Sequence, residues 1–117
     1  MCLKRANTDK PYNKSNIRWK VLYKRITDGS LVSDNAYNCV WKYGKKNTAT
    51  CYPGLTTESV YDIGFHVFVS RMDARDFKYN NPHLTVVKVK VEGFIARGYL
   101  NSTNYRNETW KFATLIK

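Results

Sequence analysis

The clearest structural signal in the chain is the segment Leu84–Val91, in which apolar and basic residues alternate. Valines occupy every second position from 87 to 91, and Lys88 and Lys90 lie between them. Side chains of a β-strand point alternately to the two faces of a sheet, so this period predicts a strand with a buried side and a solvent-facing side. A single strand cannot bury its apolar side alone, so the chain is expected to fold around a sheet.

Other segments show the same two-residue period. Arg18–Arg25 is predicted to be a strand with apolar and aromatic side chains in the core and basic side chains in solvent. The inward set is Trp19, Val21 and Tyr23, and the outward set is Arg18, Lys20 and Lys24. Further strands are predicted over 30–33, 37–43, 64–69, 94–100 and 109–116.

One short helix is predicted over 71–79. Ser70 is followed three residues later by Asp73, which is the spacing of a capping box at the start of a helix. The pair Asn81-Pro82 follows and ends the helix. About six strands with one helix predict an α+β domain, and short turns between consecutive strands favour antiparallel pairing.

The length of 117 residues suits a single domain. Residues 1–16 are polar and basic, so they are predicted to form a flexible basic arm ahead of one folded domain over 17–117. They lack the apolar run of a signal peptide, and no stretch of about 18 apolar residues exists for a membrane span. An intracellular protein, cytoplasmic or nuclear, is expected.

The charge is strongly positive: 20 lysines and arginines oppose 9 acidic residues, a net charge of +11. Such a surface attracts nucleic acid and other polyanions. The predicted function is a non-enzymatic binding module for an anionic partner, namely nucleic acid, a nucleotide or an acidic protein surface. The basic residues predicted to bind it are Arg18, Lys20, Lys24, Arg25, Lys42, Lys45, Lys46, Arg71 and Arg75.

Aromatic residues alternate with basic ones around Trp19, Trp41 and Trp110. Exposed rings between lysines stack nucleobases while the lysines hold phosphates. The same pattern also arises when the tryptophans form the core and the lysines line the outer face. Alternation favours this second interpretation.

Motifs of catalysis and cofactor binding are missing from the sequence. It contains no glycine-rich phosphate loop, no nucleophile–base pair and no cluster with metal-ligand spacing, so no cofactor and no metal site are predicted. Cys2, Cys39 and Cys51 are odd in number and are interpreted as reduced thiols. A Cys39–Cys51 disulfide is the alternative in a secreted protein.

A second function remains open because residues 44–60 form a long segment rich in glycine, proline and threonine. Loops beyond about 12–15 residues are uncommon and often functional. The alternative is a protein–protein interaction domain that uses loop 44–60 as its contact surface.

The segment Gly64–Arg75 reads Gly-Phe-His-Val-Phe-Val-Ser-Arg-Met-Asp-Ala-Arg. It resembles a motif of a domain of unknown function that occurs beside pentapeptide repeats. The element Trp41-Lys-Tyr-Gly44 and the valine-rich strand after the helix are also similar to that family. The resemblance spans about residues 18–117 and implies no established activity.

The order strand, serine, helix and valine-rich strand from Gly64 to Val91 is also similar to ADP-ribosyltransferase folds. That resemblance implies an NAD-using enzyme, or a degenerate relative of one, with His66 and Ser70 near a nicotinamide pocket and Glu108 as the catalytic acid. From the sequence alone, His66 is open to a structural role, a ligand contact or proton transfer, and a buried structural histidine is the more common of these.

Overall fold

The computed structural model describes residues 3–32, 40–48, 64–100 and 104–117. One helix, α1, covers Arg71–Lys78. The strands in chain order are β1 (Leu3–Asn7), β2 (Ile17–Lys24), β3 (Leu31–Val32), β4 (Val40–Trp41), β5 (Lys46–Thr48), β6 (Phe65–Phe68), β7 (Leu84–Leu100) and β8 (Arg106–Ile116). The predicted α+β class with antiparallel strands is confirmed, with a strong bias to β-structure. The described ranges hold eight strands, so the prediction of about six was wrong.

Antiparallel pairings join four strands into a closed circuit. The long strand β7 pairs with β2 and with β8. β8 pairs in turn with β6, and β6 returns to β2 through the pair Trp19 and Phe68. β1 lies at the outer edge of β7, β3 and β4 extend the sheet beyond β2, and β5 adds to β8. The sheet therefore curls around an enclosed interior.

A bend in β7 allows this one strand to pair with both β2 and β8. Gly93 has a φ of 71°, a left-handed conformation that glycine adopts without strain. The register against β8 shifts between Phe94 and Ala96, which marks a bulge. The two strands predicted over 84–91 and 94–100 are consequently one continuous, bent strand.

The enclosed interior forms the main core. Its buried members are Leu22, Trp41, Val67, Val87, Val89, Val91, Trp110, Ala113 and Leu115. A second core lies where α1 packs on the outside of the sheet, around Phe68, Ala74 and Leu100. Trp19 and Val21 pack against this second core, so strand β2 is covered on both sides.

The two faces of β2 differ from the sequence prediction. Arg18 lies opposite Val89 and Lys20 lies opposite Val87, and paired residues of an antiparallel ladder share a face. Both basic side chains therefore point to the interior, and the prediction that they face solvent was wrong. Tyr23, predicted to face the core, is 38% exposed.

The helix forms as predicted and ends one residue earlier. The Ser70 hydroxyl accepts hydrogen bonds from the backbone N–H groups of Met72 and Asp73, which have no partner within the helix itself. Ala74 is its one fully buried residue. With eight residues, this helix of the described ranges is far too short to cross a membrane.

Part of the predicted flexible arm is ordered. Residues 3–7 form β1, in which Leu3 pairs with Leu100 and is buried. Further along, the Tyr12 hydroxyl donates to the Gly98 carbonyl over 3.0 Å. Residues 3–7 could not be recognised as a strand from the sequence, because backbone pairing at a sheet edge does not require the apolar alternation that marks a strand in sequence.

Candidate nucleic-acid interface

Three adjacent strands carry lysines on the outer side of the sheet. Lys90 of β7 lies opposite Thr114 of β8, and Thr114 lies opposite Lys46 of β5, so the two lysines flank one position. Lys88 lies one step along, opposite Ile116. Lys111 of β8 is exposed at the margin. We call this surface the lysine face, and its residues are Lys46, Lys88, Lys90, Lys111 and Phe112.

Aromatic rings lie within the lysine face and beside it. The Nζ atoms of Lys46 and Lys111 lie 5.1 and 5.5 Å from the centroid of the half-buried Phe112 ring. Beside them, Tyr43 is 56% exposed, and the Lys117 Nζ lies 5.7 Å from its ring centroid. Lysine stems are flexible, so these cation–π contacts exchange readily with a ring that a ligand brings.

The charge around the lysine face is almost entirely positive. Lys42 and Lys45 are exposed in the connection before β5, and the N–H of Gly44 donates to the Leu115 carbonyl, which holds this connection against β8. The acid of the described part of this surface is Glu92, whose carboxylate lies 3.2 Å from the Lys46 Nζ. An exposed pair of this kind contributes little stability, so Lys46 remains available to an anion.

The basic residues that the sequence predicted to bind an anionic partner lie in different parts of the fold. Lys46 belongs to the lysine face, and Lys42 and Lys45 lie in the connection that precedes it in the chain. Lys24 and Arg25 lie at the far end of β2, where Arg25 pairs with Asp28 at 3.5 Å. On the helix, Arg71 stacks over the Trp19 ring at 5.5 Å and Arg75 is exposed.

Arg18 is fully buried and cannot contact a partner. Its Nε donates to the Glu108 carboxylate, which is also fully buried. Glu108 accepts three further hydrogen bonds, from the Arg18 Nη2 at 3.4 Å, the Tyr12 backbone N–H at 2.7 Å and the Trp110 Nε1 at 3.0 Å. The Arg18 Nη1 donates to the backbone carbonyls of Ser15 and Ile17, and its Nη2 also donates to that of Asn13. The pair ties the segment before β2 to β8.

The Lys20 side chain also lies on the interior side of the sheet. Its ammonium donates to the His66 carbonyl at 3.0 Å. It lies 5.7 Å from the Trp41 ring centroid and 5.8 Å from that of Phe65. The ammonium is thus held between two aromatic rings and a backbone acceptor, on the interior side of the sheet.

The three residues implied by the ADP-ribosyltransferase resemblance do not converge. His66 lies opposite Thr109, and Val67 lies opposite Glu108, so His66 and Glu108 point to opposite faces of the sheet. The Glu108 carboxylate is occupied by Arg18, Tyr12 and Trp110. The Ser70 hydroxyl caps α1. The Ser70 hydroxyl and the Glu108 carboxylate are therefore engaged in structural contacts, and neither faces His66.

His66 lies in a buried polar group on the outer face of the sheet. Its Nε2, the Thr109 Oγ1 and the Asn107 Oδ1 are buried and have no hydrogen-bond partner among the residues that the structure describes. Thr109 and Asn107 lie two positions apart on the same face of β8. Burial first, and the nearby Lys20 ammonium second, lower the pKa of His66 from 6.5 to about 3. The imidazole is therefore neutral at physiological pH.

This pKa predicts a pH-dependent stability. Unfolded chains bind a proton at His66 near pH 6.5, whereas the folded protein resists protonation until about pH 3, so stability falls as the pH drops through that window. The slope due to His66 reaches about 1.4 kcal/mol per pH unit. Urea unfolding between pH 7 and 5 should show this loss in the natural protein, and His66→Gln should reduce it. His83→Gln, at an exposed site, is the matched control and should leave the slope unchanged.

Several residues of the lysine face were not among the residues that the sequence predicted to bind a partner. Alternation alone places Lys88 and Lys90 on the outer side of a strand, but it does not reveal that Lys46 and Phe112 lie beside them. That proximity depends on strand register, for which the separate segments contain no local signal.

The three cysteines and residues 49–60 of the proposed contact loop lie outside the described residues.

Within the described ranges, no three side chains of histidine, cysteine, aspartate or glutamate are placed to hold a metal ion. In comparisons with known proteins, no family model, no curated protein and no solved structure matches this chain.

Proposed function

We propose that this protein binds single-stranded nucleic acid on the lysine face. The observation that carries the proposal is the side-by-side placement of Lys46 and Lys90 across β8, next to the Phe112 ring. Lysines at this spacing neutralise successive phosphates, and the release of their counterions drives binding.

The aromatic rings favour a single strand over a duplex. Bases stack on protein side chains when they are not stacked within a double helix, and such stacking contributes about 1–3 kcal/mol per base. Phe112 lies among the lysines and Tyr43 lies beside them with 56% of its surface exposed. A duplex would meet the lysines through its phosphates and would gain nothing from these rings.

The test compares two double variants that remove the same charge. Lys90→Gln with Lys111→Gln alters the lysine face, and Lys24→Gln with Arg75→Gln alters exposed positions elsewhere. Affinity for a fluorescent single-stranded oligonucleotide is measured by anisotropy over a series of salt concentrations. Losing two phosphate contacts should reduce the slope of log affinity against log salt by about 1.4 for a single strand.

The control variant should retain the slope of the natural protein, because its missing charges lie away from the bound strand. Equal losses in both variants would show that net charge alone attracts the oligonucleotide, and the lysine face would then not be its site. Absence of binding at low salt would remove the proposal altogether. Equal affinity for a duplex would contradict the role of the rings, which Tyr43→Ala tests directly.

A further inference from the structure

A second group of cations lies where the segment before β2 crosses the far ends of β7 and β8. The Arg97 guanidinium carbon lies 5.0 Å from the Tyr12 ring centroid, and the Arg106 guanidinium carbon lies 5.4 Å from the same centroid. Tyr12 is fixed by its hydroxyl bond to the Gly98 carbonyl and by its N–H bond to Glu108. One anchored ring thus positions two arginines.

No acidic side chain of the described residues pairs with either guanidinium. The ion pairs of the described residues involve other cations, and Glu108, the acid opposite Arg97 in the ladder, is already paired with Arg18. The side-chain N–H groups of Arg97 and Arg106 donate to no acceptor in the described residues. Stacking on a ring uses the face of a guanidinium and leaves its five N–H donors free at the edge.

We propose that Tyr12, Arg97 and Arg106 form a phosphate-binding site. Both guanidiniums lie against the same ring, and a guanidinium offers paired N–H donors that match the oxygens of a phosphate, which a lysine ammonium does not. Arg106 is exposed and Arg97 is half-buried, so a ligand reaches the site from solvent. Burial raises the pKa of Tyr12, so its phenol stays neutral and adds no repulsion toward an anion.

The site differs from the lysine face and does not depend on it. Lys90 and Arg97 are seven residues apart on β7, and the bend at Gly93 and the bulge between Phe94 and Ala96 lie between them. The ligands of this site share a phosphate group. Its source is either a free phosphate compound or the phosphorylated end of a nucleic-acid strand.

The test follows the Nε–Hε NMR signals of the arginines while inorganic phosphate is added. The signals of Arg97 and Arg106 should shift and saturate, while that of Arg75, exposed on α1, should not. Arg106→Gln should weaken binding by about tenfold or more, because a charge-assisted hydrogen bond is lost. Arg106→Lys keeps the charge without the planar fork and should also weaken binding, whereas Arg75→Gln should leave the affinity unchanged.

The source of the phosphate is tested with oligonucleotides of one sequence that carry either a 5′-phosphate or a 5′-hydroxyl. Tighter binding of the phosphorylated strand, abolished by Arg106→Gln, would assign the site to strand ends. Equal binding of both strands alongside saturable inorganic phosphate would assign it to free phosphate compounds. If Arg97 and Arg106 signals fail to saturate with either probe, the proposal is overturned, and the lysine face remains a separate question.

Discussion

Glu108→Gln is expected to destabilise the protein by about 3–5 kcal/mol, because it leaves the Arg18 charge buried without a partner. Both side chains are completely removed from solvent, so water cannot replace the lost carboxylate. Total stabilities of domains lie at about 5–15 kcal/mol, so this single substitution should remove a large share. Urea unfolding followed by tryptophan fluorescence measures the loss, since Trp110 donates to the same carboxylate.

The matched control is Glu92→Gln, the same substitution at an exposed carboxylate that also pairs with a basic side chain, Lys46. An exposed pair of this kind contributes about 0–1 kcal/mol, so its loss should be barely measurable. The double variant Arg18→Met with Glu108→Gln removes both buried charges. It should be more stable than Glu108→Gln alone, because no unpaired charge remains inside.

A different result would change the role of Glu108. If Glu108→Gln retained full stability, the buried pair would not hold the segment 12–18 to β8, and a functional carboxylate would be reconsidered. Turnover of NAD that vanished in this variant without loss of folding would support the ADP-ribosyltransferase resemblance. The contacts of Glu108 with Arg18, Tyr12 and Trp110 argue for the structural role.

The elements with a strong local pattern could be predicted from the sequence. The valine alternation of 84–91, the apolar segment 64–69 and the capping serine Ser70 each carry their signal within a few residues, and each forms the expected element. β1 and β5 could not be predicted, because their sequences, Leu-Lys-Arg-Ala-Asn and Lys-Asn-Thr, are mostly polar. They form because a neighbouring strand offers unpaired backbone groups.

The candidate sites were harder to predict, because they depend on contacts between distant segments. Arg18 and Glu108 are 90 residues apart in sequence, and nothing near either residue indicates the other. The same holds for Tyr12 with Arg97 and Arg106. Basic residues in a sequence therefore indicate a positive surface, but only the register of the strands shows which are buried and which adjoin an aromatic ring.

The interior orientation of β2 has a measurable consequence: Leu22→Ala should cost about 2–5 kcal/mol of stability. Leu22 is completely buried and belongs to the main core, so truncation leaves a cavity within the closed circuit of strands. The next residue, Tyr23, is 38% exposed, and its ring stacks with that of His83 at a centroid distance of 6.1 Å. Tyr23→Ala should cost far less, although it removes the larger side chain.

The comparison decides which face of β2 points inward, because the two interpretations predict opposite orders. If the aromatic face were interior, as the alternation in the sequence suggests, Tyr23→Ala would be the more damaging change and Leu22→Ala would be mild. If the structural orientation holds, Leu22→Ala is the damaging one, and Arg18 and Lys20 share the interior with Leu22. Equilibrium unfolding in urea ranks the two variants, and a larger loss for Tyr23→Ala would return Arg18 and Lys20 to the surface.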